Sequence, residues 1–398
     1  MTPLRKTNVL VASASLHRGG AERVSVDIAN TLDRDEFTVA FCSTPTGGPL
    51  EHRLRGDGEL SILHRAATWD LRKLPAFADL VRRHHIDVVH SHGRGTMKFV
   101  ALAAASCALP VRHVFHDHFG MLHLDRGADA GLRIAMRSRV DAYLGVDDRL
   151  CRWAVREIGL PAPKVHLVRS GVDLSRFADV EALDVHREFR IPADRVAVVA
   201  AANFRPQKDY PTLFLAMAEL APSVLERMHL VICGDTTSDP VYFERCSEMV
   251  DRLGLTERVT VAGTRDDLPA VLAGADAAVL SSKNETGPLV VLEYMASGLP
   301  FVATDTGEVT RAVRGLDVGF VPAPRDHHDL ADALAALLTM TPEERRAMGE
   351  RGRAAARDRF SQDLVTRQIE HIYEAVLRGS GGPEGQGPGR VGIPSRPE

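Results

Sequence analysis

The sequence has no long hydrophobic run, no excess of either charge and no paired cysteine pattern, and each lack removes a class of protein. Its longest apolar stretch, Phe99 to Leu109 between Lys98 and Pro110, is about half of the ~20 residues that a membrane-spanning helix needs. No transmembrane helix is expected. Forty-nine Lys and Arg stand against 53 Asp and Glu, a net charge of −4, so no global basic field attracts nucleic acid and none is expected as a partner. The five cysteines, Cys42, Cys107, Cys151, Cys233 and Cys246, are odd in number and widely spaced. They read as buried free thiols rather than disulfides or a zinc site. The first residues, MTPLRKTNVLVASAS, lack the apolar core and small-residue cleavage site of a secretory signal, and a cytoplasmic location is expected.

What is present is enough apolar material for sizeable cores: 44% hydrophobic and 26% charged residues in 398. At ~150 residues per domain this predicts two packed domains. Short β-branched runs recur at Asn8 to Ala12, Phe37 to Cys42, Asp87 to His90, Val111 to Phe115, Ala142 to Val146 and Val165 to Val168. A second series follows at Val196 to Ala201, His229 to Cys233, Val259 to Ala262, Ala277 to Leu280, Phe301 to Ala303 and Val318 to Val321. Helical patterns such as Glu22 to Leu32 and Pro75 to Arg83 separate them. This alternation predicts an α/β fold of two doubly wound, Rossmann-like domains with parallel sheets. The expected division is 1–178, 179–360, a C-terminal amphipathic helix over 361–378 that could cross back to the N-terminal domain, and a Gly/Pro-rich disordered tail, 379–398.

Several residues are candidates for chemistry. Gly19 and Gly20 follow the first strand and open a helix, a turn that can bring backbone N–H groups to a phosphate or sugar hydroxyl, or serve as a plain connector. A third glycine and a Gly-Lys-Ser/Thr are both missing, which removes the dinucleotide fingerprint and the P-loop. Eight of the 17 histidines fall between His84 and His123, including His90-Ser-His92 and His116-Asp-His118. Such pairs at strand ends could ligate a metal, but the later strands supply no further ligands, and no metal is expected. His116 stands at a strand's carboxyl edge, where open α/β sheets place ligands. In the second half, Arg205 and Lys208 sit at a strand-to-helix junction, able to neutralise a diphosphate or simply to face water. In SSKNETGPLVVLEYMASG, Glu285 follows a strand and Glu293 lies eight residues on. That spacing suits two acceptors for sugar hydroxyls with free helix N–H groups between them, or a surface and a capping carboxylate.

Taken together, GGAER at 19–23, DVVHSHG at 87–93, VFHDH at 114–118, SGVDLSRF at 170–177, FRPQKD at 204–209, VICGD at 231–235 and the Glu285/Glu293 pair followed by ASGLPFVATDTGE resemble a retaining glycosyltransferase of GT-B architecture, similar to glycosyltransferase family 4. The resemblance spans roughly residues 8 to 378. It implies a nucleotide-sugar donor held mainly by the C-terminal domain. Lys208 would contact the diphosphate, Glu293 the ribose and Glu285 the transferred sugar, and the amides around Gly287, Pro288, Leu289 and Val290 would cap phosphate or sugar. Thr264 and Arg265 fall where the base is held, His116 matches the active-site histidine, and Gly19 and Gly20 belong to the loop that closes on the donor. The chain departs from the family at three places: Asn203 stands where many members have Arg, Thr286-Gly287 replaces Gly-Phe, and Ser170 replaces Asn. Arg205, two residues on from Asn203, is expected to supply the missing charge.

The implied reaction is attack by an acceptor hydroxyl, on a glycan, lipid-linked glycan or small molecule, from the face the diphosphate leaves. It needs no cofactor and no metal, and the Asp33-Arg34-Asp35 match to a metal-binding Asp-x-Asp precedes a strand rather than following one. A nucleotide-sugar 2-epimerase and a non-catalytic sugar-binding protein are the competing readings. Arg126, Arg133, Arg137 and Arg139, interleaved with Leu132, Ile134, Ala135 and Met136, raise the further expectation of peripheral contact with an anionic membrane, against a helix packed on the sheet with a solvated cationic edge.

Overall fold

The structure, a computed structural model, describes residues 5–17, 19–56, 58–67, 70–119 and 130–379. The chain divides into two compact units, Met1–Gly171 with Gln362–Glu398, and Val172–Ser361.

In the first unit the strands are β1 (Thr7–Ser13), β2 (Phe37–Ser43), β3 (Leu60–Ile62), β4 (Val88–His92), β5 (Arg112–Asp117), β6 (Ala142–Gly145) and β7 (Val165–Leu167), in the order β3-β2-β1-β4-β5-β6-β7. Every pair is parallel. Helices cover both faces, so β4 is buried along its whole length and β1 over its last five residues, which is why these strands read as near-continuous apolar runs. In the second unit β8 (Val196–Ala201), β9 (Met228–Cys233), β10 (Val259–Gly263), β11 (Ala277–Leu280), β12 (Phe301–Ala303) and β13 (Gly319–Phe320) take the order β10-β9-β8-β11-β12-β13, again all parallel. Each sheet reverses its strand order once, at β1/β4 and at β8/β11. Such switch points open a crevice at the carboxyl ends of the strands.

All twelve strands expected from the sequence are present, and β3 is an addition. Its three half-buried residues at the sheet's edge leave too short an apolar run to stand out. The boundary between the units differs from the expected residue 178. Val172 donates to the Phe360 carbonyl at 2.8 Å and pairs with Ser361, while Leu174 and Phe177 pack on the second unit's core. Those contacts draw the segment from Val172 onward into the second unit.

The C-terminal helix, Gln362–Arg378, belongs to the first unit. Its apolar stripe buries Val365, Ile369, Ile372 and Tyr373. Thr366 shares a 2.6 Å hydroxyl hydrogen bond with Thr31, and Gln368 donates to the Leu167 carbonyl at 2.9 Å. The expected tail, residues 380–398, lies outside the described residues.

The arginine-rich helix Ala130–Arg139 turns Leu132 and Met136 into the core, and Arg133 donates to the Glu157 carbonyl. Of the apolar residues expected to meet a bilayer only Ile134, at 67% exposure, stands clear of the protein. The arrangement is a helix packed on the sheet with Arg137 and Arg139 on its wet side. Arg126 lies outside the described residues. No described helix is long and apolar enough to cross a membrane.

Candidate active site

The second unit's switch point brings two loops together. The first runs from β8 through Asn203 to Lys208, whose last residues form a tight turn, Pro206–Lys208, entered from an extended Arg205. The second leaves β11 through Ser281 to Pro288. Three hydrogen bonds sew them: the Lys283 amide to the Gln207 carbonyl at 2.9 Å, the Ser281 hydroxyl to the Lys208 carbonyl at 2.9 Å, and Lys208 Nζ to Glu285 Oε1 at 2.5 Å. The Ser282 hydroxyl also donates to Glu285 Oε1, at 2.9 Å. The Lys208 and Glu285 side chains thus meet as an ion pair, 19% and 13% exposed. A cation and an acceptor are held side by side where a ligand can still reach them.

Gly307 supports this loop from behind. Its backbone is left-handed, with φ of +79°, and a Cβ there would lie 2.6 Å from the Thr286 carbonyl oxygen. The absence of that carbon lets the Glu308 amide reach the same carbonyl at 2.8 Å. Beyond the loop, Pro288 precedes the helix Leu289–Ala296, which has no side-chain cap. The helix therefore starts with open amides at Leu289 and Val290, a ready place for an anion. Glu293, on its second turn, is 2% exposed, and Arg176 donates to its Oε1 at 2.9 Å.

The remaining donor-side candidates are placed differently. Arg205 is exposed, and its guanidinium is engaged by no hydrogen bond or ion pair among the described residues. Asn203 accepts from the Asp235 amide at 3.0 Å through Oδ1, so its carbonyl ties the end of β8 to the loop after β9. Gly234 makes that approach close: a Cβ there would fall 2.0 Å from the Ala202 carbonyl oxygen. Thr264 is exposed. Arg265, past the edge strand β10, is clamped by Asp267 at 2.6 Å and Glu188 at 3.0 Å, contacts that raise its already high pKa.

In the first unit, Gly19 caps the helix Gly20–Thr31 in extended conformation, and neither glycine is left-handed. His116 is near the end of β5, in register with His92 on β4. Alternation along each strand places His90 with His92 and His116 with His118 on one face, and the parallel register sets the two pairs side by side. The rings stack: His90 on His92 at 4.5 Å between centroids, His116 on His118 at 4.4 Å, and His92 and His116 5.3 Å apart. His90 Nδ1 is 2.6 Å from the Tyr373 hydroxyl and His92 Nδ1 is 3.0 Å from His118 Nε2. Burial pushes His90 and His118 down to about 3, and His92 and His116 well below the ordinary imidazole value, with the neighbouring imidazoles acting the same way on His90, His92 and His116. The rings are neutral at physiological pH. Behind them, Asp117 is held by Arg94 at 3.3 Å and by the Tyr143 hydroxyl at 3.0 Å, which partly offsets the upward push of burial on its carboxyl.

Sequence reasoning missed Arg176, Ser282 and Tyr373. Arg176 lies inside the SGVDLSRF motif, which was its only signal; its partner is 117 residues away. The five cysteines are free thiols.

Comparison with known proteins assigns each half of this arrangement. The family described as Glycosyl transferases group 1 matches residues 183–355, and the family described as Glycosyltransferase Family 4 matches residues 18–176. The chain is 25% identical over 320 residues to the N-acetyl-alpha-D-glucosaminyl L-malate synthase of Bacillus anthracis, covering 78% of this chain and 80% of that one. It is 29% identical over 318 residues to the D-inositol 3-phosphate glycosyltransferase of Salinispora tropica, covering 73% of this chain and 64% of that enzyme. Among solved structures, HepE of Anabaena in complex with UDP and glucose matches in fold, with a TM-score of 0.76 at 20% identity over 93% of this chain and 100% of that one. With one family match on each Rossmann-like unit, the chain belongs to the glycosyltransferases of the family 4 type, with GT-B architecture.

Proposed function

We propose that the protein transfers a sugar from a nucleotide-sugar to an acceptor hydroxyl with retention of anomeric configuration, without a metal. The observation that carries this reading is the Lys208–Glu285 pair, 2.5 Å apart at the second unit's switch point, beside the uncapped helix that starts at Leu289. The leaving nucleoside diphosphate gains charge as the glycosidic bond breaks. Lys208, the uncommitted Arg205 and the open amides of Gly287, Leu289 and Val290 are preorganised to receive it, and such fixed electrostatics is often the largest catalytic contribution. Glu285 accepts hydroxyls of the transferred sugar once Lys208 turns to phosphate. Glu293 accepts the ribose hydroxyls, with Arg176 fixing its carboxylate. In the first unit, His116 and the Gly19–Gly20 turn are the residues assigned to the reaction by motif.

Because HepE holds UDP and glucose, UDP-sugars head the donors to be screened, and small hydroxy acids, inositol phosphates, glycans and lipid-linked glycans are the acceptors. The test is release of nucleoside diphosphate together with a new glycoside whose anomer is read by NMR. Lys208→Ala and Glu285→Ala are each expected to lower turnover by at least about 10²-fold in a folded protein, the scale of one lost preorganised contact. Wild-type rates in either variant, or an inverted product, would overturn the assignment.

A further inference from the structure

We propose that His90, His92 and His116 form a three-imidazole site for a divalent transition-metal ion of the zinc class, and that metal bound there silences transfer. One nitrogen from each of the three rings lies within 4.8 Å of the others, and all three residues are buried. Among the described residues, Nε2 of His90, Nε2 of His92 and both ring nitrogens of His116 are buried and meet no partner at hydrogen-bonding geometry, with the Val168 backbone a polar influence on the His116 ring. Burying polar nitrogens unpaired is costly, and packing alone gives no reason to gather three such rings.

The outer contacts match what metal-binding histidines use. In such sites the ring nitrogen turned away from the metal is held by a neighbouring group, and two of the three rings have that contact. Tyr373 holds Nδ1 of His90 at 2.6 Å, and His118 holds Nδ1 of His92 at 3.0 Å, which leaves Nε2 as the donor in both. In a tetrahedral site with Zn–N of ~2.0–2.1 Å, ligand nitrogens stand about 3.4 Å apart, against the 4.8 Å within which one nitrogen of each ring lies here. The ring planes are inclined by 10° between His90 and His116, 29° between His90 and His92 and 37° between His92 and His116. Closing the three nitrogens on one ion requires the rings to turn about the soft ring torsion. Neutral imidazoles select zinc, copper or nickel over magnesium and calcium. Three protein ligands leave a fourth position for water or a ligand carboxylate.

Binding follows from these residues alone. The silencing arm rests on the proposed function, because it is His116, assigned there to the reaction, that the metal sequesters.

The test uses the full chain stripped with EDTA, in a Glu219→Gln background that disables the exposed Glu219, His327 and His328 group. Calorimetric titration with Zn²⁺ is expected to give one ion per chain. His90→Phe and His92→Phe should each weaken it by more than the roughly 10–100-fold typical of losing an outer-sphere contact. No binding, or affinities within about threefold of the parent in both variants, would overturn the site on that same scale. Should the variants fail to fold, crystals of the parent soaked in Zn²⁺ decide it: an anomalous peak among His90, His92 and His116 supports the site and a peak only elsewhere refutes it. The stripped enzyme should transfer at full rate and lose activity as Zn²⁺ fills the site, and undiminished transfer at saturation would refute silencing. Failure of every donor in EDTA would count against the proposed function while leaving the titration intact.

Discussion

Acidification is a direct probe of the histidine face. His90, His92, His113 and His116 are each no more than 1% exposed. Burial pushes His90 and His113 down to about 3, and His92 and His116 well below the ordinary value. The folded first unit favours their neutral form, while the unfolded chain takes up a proton on each near pH 6.5. Stability is therefore fully present above about pH 6.5 and is lost as pH falls below it, because the unfolded state binds more protons. From about pH 7 to about pH 5.5 each such residue costs on the order of 1 kcal/mol, and the buried histidines together several kcal/mol, a large part of a typical domain's roughly 5–15 kcal/mol. Asp117 and Glu370, whose carboxyls burial pushes up, act in the opposite sense but mainly at lower pH. The assay is urea unfolding in EDTA followed by tryptophan fluorescence, since Trp153 belongs to the first unit and residues 172–361 contain no tryptophan. The midpoint should fall steeply between about pH 7 and 5.5, and His113→Gln should remove part of the fall. A stability change below about 1 kcal/mol over that range would refute the burial argument.

Arg205→Ala should weaken nucleoside-diphosphate binding in calorimetry far more than Asn203→Ala, because only Arg205 offers an uncommitted charge while Asn203 is tied to Asp235; equal small effects would sink the substitution idea. Gly307→Ala is expected to cost about 1–2 kcal/mol in urea unfolding, the price of a side chain in left-handed backbone, and to lower kcat as well by displacing the Glu285–Thr286 loop; unchanged kcat would show that the loop does not depend on Gly307. With Leu132 and Met136 buried, the protein should not float with phosphatidylglycerol vesicles at low salt, and flotation abolished by Arg137→Glu would restore a membrane contact.

Local pattern made the fold legible. Buried strands such as Val196–Ala201 carry their own apolar signature, and the alternation with helices dictates parallel pairing. The site was legible only where function sits in a contiguous motif. Glu285, Lys208 and His116 were proposed from such motifs. Arg176 was not, because what gives it meaning is Glu293 across 117 residues of chain. The histidine pairs were visible, but their stacking depends on the register that sets His92 against His116, and a single strand carries no register. Arg265 was read as a base-side residue; its clamp by Glu188 is again a long-range pairing that composition and spacing do not encode.

The return of the chain to the first unit has a consequence for biogenesis. Residues Val172–Ser361 are an insertion between Gly171 and Gln362 of one folding unit. During synthesis the inserted unit has its whole sequence before the enclosing one does, so the usual N-terminal-first order is reversed here. The ribosome must deliver Thr366, Ile369 and Tyr373 before helix Gly20–Thr31 and His90 meet their partners. A released chain truncated after Ser361 would carry the whole sequence of the second unit beside a first unit whose His90 still lacks Tyr373, and that is the species a chaperone would have to shelter.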